Sequence, residues 1–244
     1  VKGPGDPYVL GRLENFLKEE GAHKVSYRSD QEPAVVALIE TALRNCGRSG
    51  HILEASPEHS AVGESQSNGT AERAVQQFED LLRTLKAALE ARVGARLPTK
   101  HPVMLWLIQH VASIFNRQST NADGVTPHEY RHGRRSNGRT AEFGERVLYF
   151  VPKKLRAKLD LRWRVGYFLG TAERSNEAFV GTASGNVVKS RSVTRVVNEC
   201  KWDREGLFKV TGTPDRMCPN LAGNQDAASV SYTHLRAHET LRYL

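Results

Sequence analysis

PYVLGRLENFLKEEGAHKVSYRSDQEPAVVALIETALRNCGRSGHILEA, residues 7–55, is the stretch on which the fold turns. Leu10, Leu13, Phe16 and Leu17 recur at helical spacing and Gly21 follows as a stop, which predicts a helix over 7–20. KVSYRS (24–29) reads as a short strand with Asp30 just past its end. PAVVALIETALRNCG predicts a second helix with Val36, Ile39, Ala42 and Leu43 inward and Gly47 after its end. HILEA (51–55) reads as another short strand. Helix and strand therefore alternate, which argues for an α/β arrangement with at least partly parallel pairing.

Beyond it lies a Gly/Ser-rich loop, SPEHSAVGESQSNG, and then a long helical pattern, TAERAVQQFEDLLRTLKAALEARVG. Ala71, Val75, Phe78, Leu82, Leu85 and Leu89 step by four and three, predicting one buried stripe. Glu72, Gln76, Glu79, Arg83 and Lys86 line a polar flank beside it. HPVMLWLIQHVASIFNRQ is apolar nearly all round and predicts a core helix, with His101 and His110 as surface or satisfied core histidines. Past TPHEYRHGRRSNGRTAEFG the period changes. GERVLYFV, RVGYFLGTA, EAFVGTA and NVVKSRSVTRVV are short, β-branched or aromatic, and separated by turn residues. About five such strands predict a small barrel over 145–200, joined to the preceding part (1–131) by a basic linker at 132–144. Residues 201–229 are polar and turn-rich and predict a disordered tail. The last segment, VSYTHLRAHETLRYL (230–244), resembles a translated library adapter and is expected to be non-native.

The chain has 244 residues and a net charge of +8. Residues 1–130 carry a net −2, residues 131–164 a net +8, and residues 165–244 a net +2. The excess thus sits in RHGRRSNGRTAEFGERVLYFVPKKLRAKLDLRWR, either a solvated linker or a surface for phosphate backbones. Arg134, Arg135, Lys153, Lys154, Arg156 and Lys158 are its candidate nucleic-acid contacts. Tyr149, Phe150 and Trp163 lie among these cations and can either stack on bases or fill a core. No apolar run is long enough to span a bilayer, and VKGPGDPY is not signal-like. Cys46, Cys200 and Cys218 form no CxxC or Cys/His cluster, so no disulfide framework and no zinc site is expected, and an intracellular compartment is.

Two carboxylates stand where chemistry can use them. Asp30 follows a predicted strand, and Glu72 lies in the first turn of the long helix. A strand-end carboxylate and one on a neighbouring helix can converge at an α/β sheet edge, where hard cations such as Mg²⁺ take oxygen ligands. Equally, Glu near a helix N-terminus favours the dipole, and Asp after a strand begins a turn.

The order of SDQEP, QSNGTAERAVQ, TPHEYRHGRR and FGERVLYFV…KLDLRWRVGYFLGT…GNVVKSRSVTRV resembles the integrase of a copia-type retrotransposon, over roughly residues 1–200. The resemblance implies a partial ribonuclease H-like α/β core followed by a small all-β barrel of the Src-homology-3 type that helps hold DNA. It implies Asp30 and Glu72 as catalytic and metal-binding residues, with Asn68-Gly69 shaping the loop before Glu72, and Gln66 and Asn68 contacting nucleic acid. The activity implied is DNA integration by polynucleotidyl transfer with Mg²⁺ or Mn²⁺, in an intact enzyme that is a homo-oligomer on element ends and target DNA, in the nucleus or a cytoplasmic particle, without a membrane.

Three departures qualify the implied activity. Asp30 and Glu72 are separated by 41 residues, longer than the family's usual spacing, although Glu64 lacks the Asn-Gly context. QEP replaces the usual Asn-Gly-Gly-Glu after the Asp. No strand-borne Asp precedes Asp30; Asp6 sits in a turn before a helix. The chain is therefore expected to begin after the family's first strands, and to be inactive alone. The alternative is a non-catalytic nucleic-acid-binding remnant. An unrelated α/β hydrolase finds no support, since GxSxG and a phosphate-binding Gly loop are both missing.

Overall fold

Helix α1 (Pro7–Glu20) starts where Asp6 caps it, its carboxylate accepting the amides of Tyr8 and Val9, and stops at Gly21 in the left-handed region. Strand β1 (Lys24–Tyr27), helix α2 (Pro33–Arg48) and strand β2 (Glu54–Pro57) follow. The two strands pair in parallel, Lys24 opposite Glu54 and Tyr27 opposite Pro57, as the alternating pattern predicts. These features come from a computed structural model, which describes residues 5–27, 29, 32–57, 69–120, 123–136, 141–173 and 175–219.

The chain divides into two compact units at Gln77/Phe78. In the first, Leu43, Cys46 and Ile52 form the buried cluster, with Leu17, Val25, Tyr27 and Ile39 partly buried against it. Asn45 of α2 ties α1 by donating to the Glu14 carboxylate at 2.7 Å. Lys24 and Glu54 pair at 2.7 Å across the exposed ends of β1 and β2.

The second unit contains most of helix α3 (Gly69–Val93), then α4 (Pro102–Gln118), α5 (Pro127–His132), strands β3 (Arg146–Phe150), β4 (Trp163–Thr171), β5 (Ala178–Thr182), β6 (Val187–Ser190), β7 (Val193–Arg195), and α6 (Arg204–Phe208). The strands form one antiparallel sheet in the order β6-β5-β4-β3-β7. Period-two alternation sends β4 side chains to two cores. Tyr167 and Leu169 join Trp106, Leu107, Leu89, Phe179 and Leu207 on the helix-covered face. Phe168 joins Val147, Tyr149, Val151 and Val180 on the other.

Four expectations are corrected here. The five strands do not close into a barrel: β6 and β7 are the two ends of the sheet. Closure needs those edges to meet. Instead, the β6 edge is taken by a later segment. Val187 donates to the Met217 carbonyl at 2.7 Å, while Thr211 and Gly212 donate to the Gly185 carbonyl.

Residues 201–219, expected as disordered, are part of the fold. Leu207 and Val210 are fully buried, and the Trp106 indole donates to the Gly212 carbonyl at 2.7 Å. Tyr167 donates to the Asp203 carboxylate at 2.5 Å, and a methyl group at Gly206 would meet that hydroxyl at 1.6 Å. Residues 220–229 and 230–244 lie outside the described residues.

The stripe of α3 is buried only in its second half. Leu89 is buried and Leu82 and Leu85 pack beside it, whereas Ala71 and Val75 are exposed. Helical period predicts which residues share a face; burial of that face requires something to cover it.

Finally, the core crosses the expected boundary at 132–144. α4 packs on β4, and Phe143 belongs to the same cluster as Trp106 and Leu107. Within that boundary segment Ala141 and Phe143 are buried. Among the described residues, no helix is long and apolar enough to cross a membrane.

Candidate nucleic-acid interface

The residues that join β3 to β4 read VPKKLRAKLDLR, from Val151 to Arg162. Pro152 opens a short 3₁₀ turn over Lys153–Leu155, closed by the Leu155 amide on the Pro152 carbonyl at 2.9 Å. Asp160 organises the tip. Its carboxylate accepts the Ala157 amide at 3.1 Å, its own amide donates to the Ala157 carbonyl, and Arg164 lies 3.5 Å from it. Arg156 folds inward, with one guanidinium nitrogen donating to the Asp160 carbonyl at 3.5 Å. The tip is thus held by its own hydrogen bonds.

This arrangement turns the remaining cations outward. Lys153, Lys154, Lys158 and Arg162 are all exposed. Residues 153–164 carry six Lys or Arg against one Asp, so the loop has a net positive field. Of the sequence-predicted contacts, Lys153, Lys154 and Lys158 share this one loop. Arg156 shares it too, half-buried as a brace. Arg134 and Arg135 lie on a different connection, after α5; both are exposed, and Arg135 lies 3.4 Å from Glu129.

The aromatics separate into two roles. Tyr149 is buried in the second core, where desolvation pushes its phenol pKa up despite Arg164 nearby. Trp163 is partly exposed at the foot of the loop, edge-on to Phe150 at 5.6 Å.

Not every charge near the basic stretch is free. Glu145 is fully buried and accepts from Arg195 at 2.7 Å, with the Lys201 ammonium 3.8 Å away. Glu142 is held by Lys201 at 2.8 Å and Arg92 at 2.7 Å. The Lys201 hydrogen bond, outweighing partial burial, keeps the Glu142 carboxyl below the usual carboxylate range. Arg195 and Lys201 therefore serve the fold.

The predicted catalytic pair is described in part. Glu72 lies in the first turn of α3 and is exposed. Asp30, Gln66 and Asn68 fall outside the described residues. Among the described residues, no group of three or more His, Cys, Asp or Glu side chains could hold a metal ion. Glu72 is thus the one carboxylate of the expected pair among the described residues.

The sequence prediction missed three neighbours of the lysines. Leu155, Leu159 and Leu161 are 72%, 97% and 78% exposed. Their signal was present in the alternation of Leu with Lys, Arg and Asp, which otherwise reads as a half-buried strand. No family model matches this chain, and no curated protein matches it.

Proposed function

We propose that this chain binds nucleic acid through the β3–β4 loop, as part of a copia-type retrotransposon integrase. One observation carries the binding reading: a self-braced loop that points Lys153, Lys154, Lys158 and Arg162 into solvent. Each cation that neutralises a phosphate releases counterions, which makes such a loop a sequence-indifferent backbone contact. The integrase reading draws support from a parallel β-α-β unit followed by a long helix with Glu72 in its first turn. In that reading the first unit is a partial ribonuclease H-like core. The antiparallel sheet is then an open variant of the Src-homology-3 type, and the intact homo-oligomer acts on element ends and target DNA. Mg²⁺ or Mn²⁺, when bound, would activate the attacking hydroxyl and stabilise the leaving oxygen. Asp30 and Glu72 are the residues of this chain that would hold it.

Binding is tested by fluorescence anisotropy on a labelled duplex across a salt series. Neutralising Lys153, Lys154 and Lys158 together should lower the log–log salt slope by about 3. Asp30→Asn and Glu72→Gln should leave it unchanged. An unchanged slope after the three lysines are neutralised would overturn the loop assignment. Strand transfer with labelled DNA ends and Mn²⁺ tests the catalytic part, and little or none is expected of this chain. Robust transfer that Glu72→Ala abolishes would show the chain to be a complete enzyme.

A further inference from the structure

The lysines of the β3–β4 loop explain its charge, but not its three leucines. A leucine side chain gains about 1.5–3 kcal/mol on burial, so three left in water on one loop are apolar surface that a partner of the right chemistry can cover. Leu159 is 97% exposed, more than any other large hydrophobic among the described residues. It is flanked by Lys158 and by Asp160, whose carboxylate is engaged by the Ala157 amide and lies 3.5 Å from Arg164. Arg162 stands two residues further on, exposed.

The partner must therefore be anionic and also offer an apolar slot between its charges. A stacked base step flanked by two phosphates has that character, and proteins that kink DNA insert leucine or similar wedges there. The loop's net charge opposes a second copy of itself. An anionic lipid surface would have to accept the Asp160 carboxylate between Leu159 and Leu161, next to its own negative headgroups. A duplex needs to admit only one side chain.

Building on the nucleic-acid reading above, we infer that Leu159 is an apolar wedge that enters a base step of duplex DNA and kinks it, with Lys158 and Arg162 on the flanking phosphates. Asp160 positions the wedge by holding the tip, and Arg164 lies at the Asp160 carboxylate. The reading makes affinity and deformation separable: the lysines supply the first and Leu159 the second.

The experiment uses the full chain and a duplex carrying a donor–acceptor pair at its ends and 2-aminopurine at internal positions. Binding should raise both energy transfer and 2-aminopurine fluorescence. Leu159→Ser should remove at least about half of both signals while the salt slope stays unchanged, because the wedge contacts no phosphate. Leu161→Ser should have the smaller effect. Both leucines are exposed, so circular dichroism should be unchanged in each variant. If the duplex binds without any change in either signal, or if Leu159→Ser leaves both intact, the wedge is overturned and the phosphate contact stands. If no duplex binds, but vesicles of anionic lipid bind in a Leu159-dependent way, both readings fall.

Discussion

In residues 5–77, two helices and two parallel strands gather around Leu43, Cys46 and Ile52. In residues 78–219, helices cover one face of a five-stranded sheet around Trp106, Leu107, Leu169 and Leu207, and a second cluster fills the other face. Both units use well-formed elements, yet α1 has no fully buried residue and all four residues of β2 are exposed. Parallel pairs normally have both faces covered, and a two-stranded one has little area to bury. Regular elements alone do not make a stable unit; the number of layers that can be stacked on them does. Residues 5–77 should accordingly open more often than residues 78–219.

The largest effect is expected at the centre of the second unit. Trp106→Ala removes a fully buried ring, its contact with Phe179, and the hydrogen bond that anchors Gly212. It should cost about 3–5 kcal/mol, read by denaturant unfolding of residues in the sheet. A loss below about 1 kcal/mol would mean that the 211–217 segment is not anchored through this residue.

Leu43→Ala probes the thinner unit and should cost about 2–3 kcal/mol there, at the low end for a core leucine because the site is close to solvent. Amide exchange should show β1 and β2 losing protection first, with the sheet amides of β4 and β5 unchanged. Slower exchange in β1 than in β4 would reverse the comparison.

Acid should weaken the second unit in two stages. Burial first, and then the neighbouring His132, hold His128 below the ordinary histidine value. Its neutral form belongs to the fold, so stability present above about pH 6.5 is lost as pH falls toward the depressed value. The carboxyls of Glu142 and Asp203 are lowered mainly by hydrogen bonds from Lys201 and Tyr167. Their contribution is present above the ordinary carboxylate range and lost as pH falls through the depressed values. Each stage should appear as a fall in the urea midpoint as pH is lowered. His128→Gln should remove the first stage only; a first stage that survives it would place the titration elsewhere.

Much of the helical content was legible because its signals are local. Asp6 caps α1, Gly21 ends it in the left-handed region, and prolines stand at the first turns of α1, α2 and α4; α5, capped by Thr126 and ended by Gly133, carries the same signals and was not predicted as a helix. The β-strands were legible as well, although NVVKSRSVTRVV splits into β6 and β7. The candidate loop was visible as charge, but its leucines were not. Alternating Leu and Lys describes a half-buried strand and an exposed tip equally well.

What the sequence determined by itself was the kind and order of elements, since periodicity, caps and turn residues act within a few positions. Only the tertiary structure decided which faces are covered. It left the first half of the α3 stripe in solvent and drew Leu207 and Val210 into the core. It buried Glu145 against Arg195, 50 positions away in sequence, and it turned Leu159 outward on a self-braced loop. The burial of Leu207, Val210 and Glu145 depends on residues far apart in the chain and is settled by competition for the same buried area rather than by local preference, whereas the loop tip is held by bonds between residues three or four positions apart.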